Sequence, residues 1–301
     1  MRACIGAVGR TRTLRIAYGN GQPRCRPGAI GRPALSHSSP CLTNADRRRG
    51  GAWLLLFALC PALAAAPIEH VTGKAYAADG RLLYSESHWL FDADAEPSRV
   101  VLYRCPDGRP FARKVVSRRG PAQAPDFELV EQPLGYREGI RSGAHGRQVF
   151  VQRGSQAAER SAPLAATPVP VADAGFDAWI QAHWNQLGER AIEVPFVLPS
   201  RLRTYNVRIR RMADRAIDGR PARQYRISLS SWFGFVLPHV DASYDVTSHQ
   251  LRRLSGLGNI RGANGHNLDV RVEFAASGHQ PNRLAEAQAA LAEPLDGRCE
   301  L

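Results

Sequence analysis

The sequence predicts a mainly β chain: a curved antiparallel sheet, half-barrel or barrel, with one central amphipathic helix acting as plug or lid. Three observations carry this. From His70 onward apolar residues recur at every second position in short runs rich in Val, Ile, Tyr and Phe, the period of a strand with one buried face. The runs are separated by turn dipeptides, among them Asp79-Gly80, Asp107-Gly108, Asp218-Gly219 and Asn264-Gly265, which supply the backbone freedom a tight hairpin needs. One stretch, 173–188, switches to three- and four-residue spacing.

Charge is unevenly placed before any of these elements begins. The 301 residues carry 40 Lys+Arg against 27 Asp+Glu, a formal +13. Met1 to Ala64 holds ten Arg, no Lys and a single acid, Asp46, a balance of +9; the remaining 237 residues balance at only +4. A working chain so mildly basic argues against a nucleic-acid-binding role, and its composition excludes a membrane-spanning bundle.

Residues 1–46 show no strand or helix period and are rich in Gly, Arg, Ser and Pro, as expected of a disordered extension or a mis-assigned start. Arg47, Arg48 and Arg49 then precede the apolar run AWLLLFALCPALAAA. A cationic segment, an apolar segment and an A-x-A site make 47–64 a cleavable signal peptide, with cleavage after Ala64. Cys60 follows Leu59 and not a small residue, so the expected product is a soluble periplasmic, secreted protein and not an acylated one.

A single β-rich domain is expected over 65–274. HVTGKAYA and RLLYSESHWLF form a first hairpin, RVVLYRC and RPFARKVVS a second, and DFELVEQ, YREGIRS and RQVFVQR continue the meander. The Pro- and Ala-rich 154–171 reads as a linker. Asp173 is placed to cap a helix over 173–188, whose apolar face is Phe176, Trp179, Ile180, His183 and Leu187, widened by Trp184. Strands resume in IEVPFVLP, RTYNVRIRRMA and ARQYRISLS, and after the apolar block WFGFVLPHV they continue to NLDVRVEF. GLGNIRGANG reads as a turn between strands, and LAEAQAALAE as a short helix in the tail 275–301. So many strands around one helix must curl to hide their edges, with the helix against the inner surface.

Loss of the leader reduces six cysteines to two, Cys105 and Cys299. In an oxidising compartment these are expected to pair, closing a long loop for about 4 to 5 kcal/mol of stabilisation. The alternative is a free Cys299, two residues from the carboxyl end.

The order of elements, with YDVTSHQLRRLSGLGNI and VRVEF closing the strand series after a mid-chain helix, resembles the periplasmic lipoprotein-carrier (LolA/LppX-like) half-barrel superfamily, or a related uncharacterised exported proteobacterial family. The resemblance spans most of 68–274, includes a closing turn near 251–258, and implies an apolar concavity that accepts acyl chains.

A carrier needs such a chamber because each methylene withdrawn from water is worth about 0.8 kcal/mol. The residues expected to line it or its lid are Trp89, Phe91, Phe176, Trp179, Ile180 and Trp184, with Trp232, Phe233 and Phe235 near a mouth. Arg208 and Arg210, on one strand face, are expected to contact a headgroup. Histidines are scattered singly, with no H-x-x-x-H, H-E-x-x-H or cysteine pair at metal-ligand spacing, so no metal, cofactor or catalytic residue is assigned. Glu86 and His88 share a strand face with Tyr84. The function expected is non-catalytic binding of a lipid or other apolar component of the cell envelope. Expected partners are a lipid or acylated envelope component, a periplasmic protein and peripheral contact with the membrane, and no nucleic acid. The alternatives are a periplasmic hydrolase with a dispersed His/acid site and a protein-interaction scaffold that presents a sheet edge.

Overall fold

The computed structural model describes residues 68–91, 96–230, 239–275, 278–280 and 283–301. A first meander comprises β1 (Ile68–Tyr76), β2 (Leu82–Leu90), β3 (Arg99–Arg104), β4 (Pro110–Val116), β5 (Phe127–Glu131), β6 (Tyr136–Gly143), β7 (Gly146–Arg153) and β8 (Arg160–Pro163). The helix α1 (Phe176–Ala182) follows, and then a second meander of β9 (Ile192–Leu198), β10 (Arg203–Arg211), β11 (Arg215–Ile217), β12 (Arg220–Leu229), β13 (Val240–Asp245), β14 (Leu251–Arg261) and β15 (Asn267–Phe274). The short β16 (Gly278–Gln280) and the helix α2 (Leu284–Ala292) complete the described chain.

All these strands belong to one open, curved antiparallel sheet, ordered β8-β7-β6-β5-β4-β3-β2-β1-β15-β14-β13-β12-β10-β9, with β11 on β12 and β16 on β1. Each meander is thus a run of hairpins, and the two are joined where β1 pairs with β15. At Asp218-Gly219 both turn residues have positive φ, the condition for a two-residue hairpin turn compatible with strand twist.

Three elements differ from expectation. The α-helix spans only Phe176–Ala182, preceded by a 3-10 turn at Asp173–Gly175 and followed by turns through 186, in place of 173–188. Within the expected linker, Arg160–Pro163 adds to β7 as an edge strand, which polar residues exposed on both faces did not announce. The glycine-rich segment read as a turn lies mostly inside β14, and so does the expected closing turn near 251–258. There Gly256 adopts a φ of 118°, and a Cβ would stand 2.3 Å from the His239 carbonyl oxygen, so the chain passes as a strand only because no side chain is present.

Register fixes two faces. Glu86 and His88 on β2, which share a face with Tyr84, lie opposite Tyr103 and Val101 on β3, which continue to Ala112 and Lys114, then Glu131 and Leu129. In the other direction the same face runs through Ala75, Val272, Leu254, Ala242 and Tyr225 to Ile209, Val207 and Val194. This face carries three core clusters, one of which includes the buried side chains of α1. The opposite face receives α2, whose Ala287 and Ala290 pack on Trp89, Val100 and Leu102.

Cys105 and Cys299 form a disulfide. Cys299 is not at a loose end: Gly297 N–H donates to the Pro110 carbonyl at 2.8 Å, and Leu301 packs against the core cluster that contains Cys105.

Candidate functional site

The strand sequences beneath α1 alternate small or apolar residues with charged ones, so one side of the sheet is an apolar floor. Val194, Val207, Ile209, Tyr225, Ala242 and Tyr244 form it, with Phe196, Ile227 and Leu229 half-buried at its margin. The 176–187 segment answers with Trp179, Ile180, Trp184 and Leu187, all buried. Phe176 meets Phe196 edge-on, with ring centroids 6.2 Å apart.

The expected lining residues therefore divide. Phe176, Trp179, Ile180 and Trp184 come together on the inner face. Trp89 and Phe91 do not join them, because Trp89 pairs in register with Val100 and so points away from the His88 face; both residues pack in the cluster under α2. Trp232, Phe233 and Phe235 lie outside the described residues. Arg208 and Arg210 are on the side opposite the floor, alternating with Val207 and Ile209. Arg208 Nε donates to Glu193 at 3.1 Å, and Arg210 Nη2 to the Met212 sulfur at 3.6 Å.

Ionic contacts hold the front of the helical segment. Asp173 makes no helix cap; its carboxylate pairs with the Lys114 ammonium. Arg99 donates to the Ala174 carbonyl at 2.7 Å and lies 3.7 Å from the Asp177 carboxylate, and Tyr244 O–H donates to Asp177 at 2.8 Å. Arg99 and Lys114 belong to the first meander and Tyr244 to the second, so these contacts bridge both. The Lys114 ammonium beside it, and then Arg99, hold the Asp173 carboxyl below its ordinary value. Burial, reinforced by Asp177, pushes the Tyr244 phenol well up, so it remains a donor. Lys114 keeps 6% of its side-chain surface and Asp173 49%, so water reaches the anionic half of the pair. Gly175 is pressed onto the turn between β4 and β5, where a Cβ would stand 2.3 Å from the Gln123 carbonyl carbon.

The rear of the segment is held by rings. Trp184 stacks on His249 at 3.9 Å, carries the Arg223 guanidinium 4.3 Å above its ring and meets Tyr225 and Tyr244 edge-on. Arg223 also donates to the Trp184 carbonyl at 3.1 Å. Sequence reading passed over Lys114, Arg99, Arg223 and His249. Lys114 did carry a signal: it is one of two lysines in the chain and sits in FARKVV at an inward position.

Two further polar groups occupy the inner face. His88 Nε2 and Glu86 Oε2 are 2.7 Å apart, with the His88 ring edge-on to Phe274. Arg261 pairs with Glu131 at 2.6 Å and Glu138 at 3.2 Å, and donates to Tyr136 O–H at 2.7 Å. Burial pushes Glu131 up despite the opposing Arg261 charge. Among the described residues no group of three His, Cys, Asp or Glu is placed to hold a metal ion.

No family model and no curated protein matches this chain. Solved structures do. A β-barrel-like protein of a domain of unknown function (DUF1849) from Brucella abortus is 7% identical, with 72% of this chain and 99% of that chain covered and a TM-score of 0.41. The hypothetical lipoprotein YmcC from Escherichia coli is 10% identical over 71% of this chain and 88% of its own, at a TM-score of 0.28. A putative outer membrane lipoprotein-sorting protein domain from Vibrio parahaemolyticus is 4% identical over 76% and 91%, at 0.21. Likenesses this distant bear on neither activity nor ligand.

Proposed function

We propose that this is an exported envelope protein that shelters an acyl chain, or a comparable apolar group, on the inner face of its sheet, with the 173–188 segment as a displaceable plug. The observation that supports the reading is the plug itself. A short helix and its turn lay Trp179, Ile180, Trp184 and Leu187 over an apolar floor, while the front end is held by ion pairs that water reaches. The plug side chains occupy the place an acyl chain would take. Ligand entry then requires the plug to lift, so apparent affinity is the intrinsic affinity reduced by the fraction of molecules that are open.

Uptake of a fluorescent fatty acid tests this. Lys114→Met combined with Asp173→Asn should raise apparent affinity, because a loosened plug increases the open fraction. A variant that merely damaged the floor would lower it. Absence of uptake by both proteins, together with a ligand-free native mass for protein purified from its own envelope, would reject the reading.

A further inference from the structure

On the side of the sheet opposite the plug, β12 to β15 build a small polar hollow of about 140 Å³. Register explains it. Gln224, Ser243, Arg253 and Glu273 lie opposite one another in one row across the four strands, and Arg226, Asp241, Ser255 and Arg271 in the next. The two serines stand at the centre of a field of long side chains, so a depression remains between them, and Arg215 from β11 borders it.

The charge around this depression is unbalanced. Four arginines (215, 226, 253 and 271) face two carboxylates. Asp241 is taken up by Arg226 in a two-pronged contact at 2.8 Å, and burial of Asp241 is outweighed by Arg226, which holds the carboxyl low and ionised. A single oxygen of Glu273 serves both Arg253, at 3.1 Å, and Arg271, at 3.2 Å. Arg215 has no carboxylate partner among the described residues. Arg253 Nε is buried without a hydrogen-bond partner, and the hydroxyls of Ser243, itself buried, and Ser255 make no hydrogen bond among the described residues. Partly unsatisfied guanidinium forks and free hydroxyls around a hollow are the donor set a tetrahedral oxyanion requires.

We propose that this hollow is a binding site for a phosphate group, held by Arg253, Arg271 and Arg215 with Ser243 and Ser255 as neutral donors. It lies on the other face from the apolar floor and does not depend on the plug reading. The group is supplied either by a phospholipid head or by free phosphate.

The test is a calorimetric titration of the mature chain with inorganic phosphate at low salt, in parallel with co-sedimentation on vesicles of phosphatidylglycerol and phosphatidylcholine in equal parts. Phosphate should bind saturably. Arg253→Gln with Arg271→Gln, and separately Ser255→Leu, which fills the hollow without changing charge, should each weaken binding about tenfold or more. Arg137→Gln, whose residue pairs with Glu128 away from the hollow, should change it less than about twofold. Exposed Arg215→Gln keeps the test available if a core variant fails to fold, and should weaken binding as well. Sedimentation that phosphate competes away and Ser255→Leu abolishes identifies a lipid head; saturable phosphate binding without sedimentation identifies free phosphate. No saturable binding in either arm, or binding that survives every hollow variant, overturns the proposal.

Discussion

At the scale of single residues, the Lys114–Asp173 pair is asymmetric, and the asymmetry is measurable. Lys114 is enclosed, whereas half the Asp173 side chain is wet. Removing the carboxylate in Asp173→Asn strands a buried cation, while Lys114→Met leaves a carboxylate that water and Arg99 still serve. Breaking a buried pair is costly chiefly through the charge left behind, so Asp173→Asn should destabilise more than Lys114→Met, by about 1 kcal/mol or more in urea unfolding. Equal losses, or the reverse order, would contradict the geometry. The pH dependence has a definite sign. The folded-state value of Asp173 is depressed, so its stabilisation is complete above the unfolded value of about 3.9 and is lost as pH falls through the depressed one. Fatty-acid uptake through this pair should therefore stay flat from neutrality to about pH 5 and rise only below about pH 4.

At the scale of elements, what was legible in the sequence depended on whether an element has one buried face. In β10, Val207 and Ile209 are buried while Arg208 and Arg210 are exposed, and that contrast is the alternation that announced it. β8 is almost wholly exposed, so it offered no period. The helix face was visible through Leu187, but spacing does not separate a continuing helix from turns: after Ala182 the chain departs from helix and Trp184 finds its partners in His249 and Arg223. Alternation also distinguishes two faces without saying which is inside, and β2 has buried residues on both because α2 covers the side bearing Trp89. Trp89 and Phe91 therefore belong with α2 and not with α1. The tail beyond α2 is held by Arg104 on Glu293, a two-pronged contact at 2.6 and 2.7 Å, and by the disulfide across 194 residues. Cys105→Ala with Cys299→Ala should lower unfolding free energy by about 4 to 5 kcal/mol if loop closure dominates. A loss under about 1 kcal/mol would instead assign the tail's attachment to its noncovalent contacts.

At the scale of the whole described fold, the two meanders are sequence-local blocks that share a core cluster and the Arg261–Glu131 pair and are tied by three further seams. β1 hydrogen-bonds to β15, the 173–177 segment is gripped by Arg99 and Lys114 from one meander and Tyr244 from the other, and Cys105 is bonded to Cys299. The edge strands β8 and β9 do not pair with each other; Val171 bridges to Phe196 of β9, and Arg153 at the end of β7 donates to the Ser200 carbonyl. The exposed segment 155–159 links β7 to β8, and the seams hold the chain on either side of it. A protease site introduced between Gln156 and Ala157 should be cut without dissociation, because exposed loop tips with few contacts tolerate nicking. The nicked protein should run as one band without reductant and two with it, and should still unfold in a single transition, since two of the core clusters are shared between the meanders. Two separate transitions would show instead that the meanders are autonomous.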